Sequence, residues 1–297
     1  MTDASLSGRQ GTRMWIFSCK FVFSCKHARF IKVYLPKKER MKQKIAIIGA
    51  GNLGTRISLE LHNQGAEIIQ VYSRTITSAL TLGRLVGCSY VTAPEKITTE
   101  ADIYLVSVSD SVIEELLKKI QFNNKLIVHT AGSVDMEVLK PFSENYGVLY
   151  PLQTFSKFRA VDFSVIPFCI EANNAENQQK LVDLASLISK DVRIINSEQR
   201  KQLHLAAIFA NNFVNHLLAV ADEIVGEKKL PFSILQPLIN ETIAKAQYLS
   251  PKEAQTGPAV RNDQNTINEH LNMLRNDPQR AALYRILSEN IYEFQKK

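Results

Sequence analysis

Lys44-Ile45-Ala46-Ile47-Ile48-Gly49-Ala50-Gly51-Asn52-Leu53-Gly54 joins an apolar run to a glycine pattern, and the residues from Asn52 onward read as a helix. A strand, then G-x-G-x-x-G, then a helix is the arrangement that seats a dinucleotide pyrophosphate on main-chain N–H groups. In this reading Gly49 permits the tight turn, Gly51 lets the phosphates approach the backbone, and Gly54 lets the helix lie close to the sheet. Asn52 and Leu53 open that helix, whose N-terminus offers free N–H groups and the positive end of its dipole. Leu53, Ile57 and Leu61 recur on one helical face, and Gly65 closes the element. A second strand, Glu67-Ile68-Ile69-Gln70-Val71-Tyr72, comes directly after it.

The residues after that strand bear on which dinucleotide is bound. An acidic side chain there would accept from a ribose 2′-hydroxyl, whereas a 2′-phosphate needs cations and hydroxyls. The chain reads Ser73-Arg74-Thr75, with Arg74 standing 20 positions after Gly54. A guanidinium fork flanked by two hydroxyls suits a phosphate, so NADP(H) is expected over NAD(H). The plainer alternative is that Arg74 is a solvated turn residue.

Length and charge bound the rest. A chain of 297 residues suggests two domains of ordinary size. Residues 1–40 hold nine Lys/Arg against Asp3 and Glu39, which accounts for the whole net charge of +7. From Met41 onward 27 basic residues balance 27 acidic ones, which argues against a nucleic-acid surface. Lys20, Lys26, Arg29 and Lys32 interrupt the apolar residues between Trp15 and Leu35, so no membrane span is read there and a cytoplasmic location is expected. Residues 1–40 are expected to be a basic extension outside the fold. Cys19, Cys25 and His27 make only the weakest metal pair, Cys88 and Cys169 read as small core residues, and no metal site is expected.

Short apolar runs at Ile103–Val108 and Lys125–His129 suit parallel strands covered on both faces. Asp110 or Ser111 can cap a helix between them whose buried stripe is Val112, Ile113, Leu116, Leu117 and Ile120. Further strand-like pieces at Gly147–Tyr150, Pro167–Ile170 and Val192–Ile195 bracket a helix from about Ala175 to Ser189, extending the sheet as βαβ units do. The expected α/β fold is therefore a Rossmann doubly wound, mostly parallel sheet over 41–196. Residues 197–297 are expected to form an all-α domain, in which a helical pattern runs unbroken to Gly226, a shorter one follows Pro231, and two more start at Asp263 and Asp277-Pro278.

Polar residues of this second half are the candidates for chemistry. At 100° per residue Asn211 and Asn215 each fall within about 20° of His204, with Asn212 at the margin. Such groups either bond to neighbouring helices or face a cleft between the domains. In the loop before Asp263, Thr256, Gly257 and Arg261 combine a hydroxyl, backbone N–H and a guanidinium, suited to a carboxylate or phosphate. Asp263 can instead cap its helix, and Arg261 can pair with it. His129 and Ser133 lie at the carboxyl end of a sheet strand, where ligands of open α/β sheets gather.

These stretches, together with His129-Thr130-Ala131-Gly132-Ser133, Tyr150-Pro151-Leu152-Gln153-Thr154-Phe155, Ala254-Gln255-Thr256-Gly257-Pro258 and His270, resemble an uncharacterised bacterial Rossmann-like family whose C-terminus is a domain of unknown function. The resemblance covers Met41 to nearly the end. That family is similar to deazaflavin-dependent NADP oxidoreductases, pyrroline-5-carboxylate reductases and β-hydroxyacid dehydrogenases of the 6-phosphogluconate type. It implies an NADP-type Rossmann domain, a 6-phosphogluconate-dehydrogenase-like helical domain that forms homodimers, and a cleft between them, but no particular substrate. β-Hydroxyacid dehydrogenases carry a catalytic lysine with an asparagine one turn later. This chain has His204 at that polar position, Asn211 and Asn212 two turns on, and Lys201 one turn earlier.

The expected activity is hydride transfer between NADP(H) and a small carbonyl, imine or hydroxy metabolite. His204 would be the general acid/base, with Asn212 beside it. Asn215 would orient the substrate, Thr256 and Arg261 would hold its anion, and His129 and Ser133 would lie near the nicotinamide. The competing expectation is a redox-silent NADP(H) sensor or scaffold, and a flavin- or deazaflavin-coupled reductase would need a second cofactor.

Overall fold

A computed structural model describes residues 43–296; the basic extension, with Cys19, Cys25 and His27, lies outside the described residues. Eight strands form one sheet in the order β3-β2-β1-β4-β5-β6-β7-β8. They are β1 Lys44–Ile48, β2 Glu67–Tyr72, β3 Ser89–Val91, β4 Ile103–Val106, β5 Leu126–His129, β6 Tyr146–Pro151, β7 Pro167–Ala172 and β8 Asp191–Ile194. Helices α1 Asn52–Asn63, α2 Ile76–Val86, α3 Ile113–Leu117 and α4 Ala175–Ser186 connect or flank them.

The continuous apolar runs are explained by burial on both faces. In β1, Ile45 and Ile47 pack with Ile57 and Leu61 of α1, Leu82 and Val86 of α2, and Leu181 and Leu184 of α4. Ala46 and Ile48 point the other way, into a layer with Ile113 and Leu117 of α3, Met136, Leu139 and Ile195. Reversal of the strand order around β1 and β4 creates the crevice at the carboxyl edge where nucleotides bind in such sheets.

Three expectations need correction here. β7 runs antiparallel to β6 rather than extending the sheet by a βαβ unit, because residues 152–166 turn back at the same edge with no crossover helix. β3 is an additional three-residue edge strand. Neither Asp110 nor Ser111 caps a long helix: Asp110 opens a single 3-10 turn, and the α-helical part is only Ile113–Leu117.

From Ser197 the described chain is helical. α5 Ser197–Ala207, a π-helical segment Ile208–Phe213 and α6 Val214–Gly226 run on as one 30-residue element. After it come α7 Gln236–Lys245, a one-turn α8 Pro251–Ala254, α9 Gln264–Met273 and α10 Pro278–Lys296. A capping box between Asn196 and Gln199 starts α5 immediately after the sheet ends.

Candidate functional site

The turn after β1 is held rigidly. Gly49 has φ +115° and donates its N–H to the Tyr72 carbonyl at 2.9 Å. A Cβ on Gly49 would strike the Ser107 carbonyl, and one on Gly54 would strike the Gly49 carbonyl. Gly51 is different: a Cβ there would meet nothing within 4 Å. Two glycines are thus required by the fold, while the third fronts open space before the first turn of α1. No side chain caps that helix, so its leading N–H groups are left for a ligand. A pyrophosphate fits this cradle in chemistry and shape. Beyond β2, Arg74 and Thr75 are exposed, and Arg74 makes no ion pair with another described residue.

A cleft of about 590 Å³ opens beside the same turn. Asn52 and Leu53 form one wall, Tyr150 and residues 151–155 a second, and Leu203, His204, Asn211 and Asn212 a third. His204 Nδ1 lies 3.1 Å from the Tyr150 hydroxyl, their rings meeting edge to face. Gly132 makes this contact possible, because a Cβ there would press on the His204 ring and on Tyr150. Burial pushes the Tyr150 phenol up to about 12, so it keeps its proton at neutral pH. The sequence shows Tyr150 within a motif but assigns it no role.

The π segment decides which asparagines share that wall. Its i→i+5 bonding places an extra residue in the turn and shifts the phase of everything downstream. Asn211 and Asn212 both face the cleft, whereas Asn215 is exposed outside it, contrary to the face drawn at a uniform 100° per residue.

Several other candidates are not brought into the cleft. His129 is fully buried and takes the Ala131 N–H on Nδ1 at 3.2 Å. Burial, reinforced by the Arg200 charge, pushes its pKa down to about 4, so the ring is a neutral core group. Ser133 donates to the Asp110 carboxylate at the surface. Thr256 and Arg261 are exposed on the loop between α8 and α9 and line no part of the cleft. Asp263 caps α9, accepting from the Thr266 N–H at 3.1 Å and hydroxyl at 2.8 Å. Lys201 does not stand in for a catalytic lysine, since it pairs with Asp135 at 2.8 Å on the outside.

The anchor of the His204 helix went unread in the sequence. Arg200 has no exposed surface and donates to Glu171 of β7, to the Val134 carbonyl at 2.5 Å and to Ser197 Oγ at 3.0 Å. Glu171 in turn accepts from the Ser197 N–H at 2.9 Å and hydroxyl at 2.7 Å. The first turns of α5 are therefore pinned to the sheet one turn before His204. The available signal was the spacing of Arg200 with Leu203, which packs against the sheet.

The fold and this cleft define a two-part dinucleotide-binding protein of the oxidoreductase kind. Residues 44–133 match the family described as NADP oxidoreductase, coenzyme F420-dependent, and residues 166–291 match a domain of unknown function, DUF2520. A candidate NADP oxidoreductase from Bacteroides fragilis is 45% identical, with 84% of this chain and 98% of that one covered at a TM-score of 0.80. The chain belongs to this family, in which an NADP-oxidoreductase domain precedes a DUF2520 region. An imine reductase from Myxococcus stipitatus, solved with NADP+, is 14% identical over 85% of this chain and 93% of its own, at a TM-score of 0.58. Pyrroline-5-carboxylate reductase from Streptococcus pyogenes is 13% identical over 84% and 98%, at 0.56. These two share the fold. No curated protein sequence matches the chain.

Proposed function

We propose that the protein is an NADP(H)-dependent oxidoreductase that reduces or oxidises a small carbonyl, imine or hydroxy compound in the cleft beside its glycine turn. The observation that carries this reading is the single lining that joins Asn52 and Leu53 of the nucleotide turn to His204 and Tyr150. Gly51, Asn52 and Leu53 would hold the pyrophosphate through main-chain N–H groups, and Ser73, Arg74 and Thr75 would hold the 2′-phosphate. NADPH, when bound, supplies the hydride. The Tyr150 hydroxyl, 3.1 Å from Nδ1, would hold the His204 ring in place at the cleft wall. In its protonated form the His204 ring would give a proton to the carbonyl oxygen or imine nitrogen as the substrate is reduced, and the neutral ring would take it back in the reverse reaction. Asn212, with Asn211, would hydrogen-bond the substrate. The imine reductase and pyrroline-5-carboxylate reductase neighbours make cyclic imines the natural first substrates to try.

The test is turnover of NADPH against a panel of aldehydes, ketones and cyclic imines, with a deazaflavin included as an alternative hydride partner. On the first active compound, His204→Gln should lower kcat by about two to four orders of magnitude with little change in NADPH affinity. Tyr150→Phe should lower kcat less and shift its pH profile. An unchanged kcat in His204→Gln removes the acid/base assignment. No turnover across the panel would favour a sensor.

We further infer a homodimer through the helical region. The element Ser197–Gly226 is long and apolar enough to cross a membrane by length and composition, yet none of its most apolar stretch is buried. It displays Phe209, Phe213, Leu217 and Ile224, and Leu238 of α7 and Ile286 of α10 are exposed as well. Apolar surface on that scale needs a cover. The polar His204, Asn211, Asn212 and Asn215 on this element suit a protein partner better than lipid, where such groups are costly. Sedimentation should give twice the 33.5 kDa chain mass, and a monomer at micromolar concentration would refute the dimer.

A further inference from the structure

The loop between β6 and β7 is not accounted for by the cleft alone. Gln153, Thr154 and Phe155 line the cleft, but two residues later Lys157 leaves it and places its ammonium 3.4 Å from Ser78 Oγ, in the first turn of α2. β6 and β2 are separated by β5, β4 and β1, four strand spacings or about 19 Å along the carboxyl edge. Six residues from Pro151 to Lys157 reach about 20 Å when nearly extended. The segment thus leads from the His204 cleft along the carboxyl edge, where the dinucleotide would lie, and the Lys157 side chain reaches from it to the first turn of α2. Its near side is anchored by Phe155 against Phe163, ring centroids 5.6 Å apart, within the sheet's core layer.

At its far side Lys157 arrives beside the segment that would take the 2′-phosphate. Ser78 is four residues after Arg74, and the Thr75 side chain makes no capping bond to the first turn of α2. Arg74 immediately precedes this uncapped helix start in the chain, and Lys157, from a distant part of it, reaches the same first turn. Lys157 makes no ion pair with a described residue.

We propose that Lys157 is a second cationic ligand of the NADP(H) 2′-phosphate, delivered by residues 152–162 acting as a strap over the bound dinucleotide, so that nucleotide choice depends on this loop as well as on Arg74. The inference rests on the NADP(H) reading and adds a residue that the G-x-G-x-x-G context does not supply. The probes are NADPH, NADH and adenosine 2′,5′-bisphosphate, titrated into the full chain and into Lys157→Gln, Lys157→Arg and Arg74→Ala. Lys157→Gln should weaken NADPH and the bisphosphate roughly fivefold, as for one partly exposed ion pair, leave NADH unchanged, and be rescued by Lys157→Arg. Equal weakening of NADPH and NADH would make the strap a general cover and refute the phosphate contact. Unchanged NADPH affinity in Lys157→Gln, alongside a loss in Arg74→Ala, overturns this inference and leaves the cofactor reading standing. Failure of the wild type to bind any of the three overturns both.

Discussion

Gly49→Ala should lower folding stability by about 3 kcal/mol and abolish NADPH binding, whereas Gly51→Ala should fold normally and lose at least about tenfold in NADPH affinity. The two glycines stand two positions apart and differ in their surroundings. Gly49 sits at φ +115°, where a side chain is strained whatever the space, and its Cβ would be driven into the Ser107 carbonyl. That carbonyl belongs to the loop after β4 and cannot retreat cheaply, since the Ser107 N–H is bonded to Ile48 at 2.7 Å. Gly51 has φ −74°, which alanine adopts freely, and its Cβ would enter open space. That space is where the pyrophosphate is proposed to lie, so the methyl group displaces ligand rather than protein. Urea unfolding beside nucleotide titration of both variants checks this. A Gly51→Ala protein that binds NADPH as the wild type does would mean that the phosphates lie elsewhere.

Arg200→Met should be the second costly change, at about 3–5 kcal/mol, because it takes the cationic partner from Glu171, leaving that carboxylate only its Ser197 donors, and removes the side-chain donor of the Val134 carbonyl. Arg200 is completely buried and ties α5 to β7 and to the loop after β5. Loss of that tie should also loosen the wall that carries His204 one turn later. The double variant Glu171→Gln/Arg200→Met should recover part of the stability, since the uncompensated carboxylate is then gone. A change below about 1 kcal/mol in the unfolding free energy of Arg200→Met would show that the network does not hold the helix.

Features determined locally were legible in the sequence. The glycine turn was readable because each glycine answers to its own neighbours, and the strands because both faces of the sheet are buried and leave continuous apolar runs. Asp263 announces its helix through a side chain that reaches only three residues. Contacts set by tertiary structure were not legible. Tyr150 and His204 are 54 positions apart and meet only because β6 ends beside α5. The π segment carries no marker in Ile208-Phe209-Ala210-Asn211-Asn212-Phe213, so the sequence reads as a regular helix and Asn215 falls on the wrong side. His129 read as a ligand because it ends a strand at the ligand edge, but its ring is buried in the core. The direction of β7 was hidden by a loop with no periodicity, the same loop that brings Lys157 to α2.

The glycine turn and the segment after β2 are proposed to hold NADP(H) together. Calorimetric titration of the full chain with NADPH and NADH, for the wild type and Arg74→Ala, tests it most directly. NADPH should bind about tenfold or more tightly than NADH, and Arg74→Ala should remove most of that preference while NADH affinity is retained. Binding of neither nucleotide, or equal affinity for both in the wild type, would contradict it.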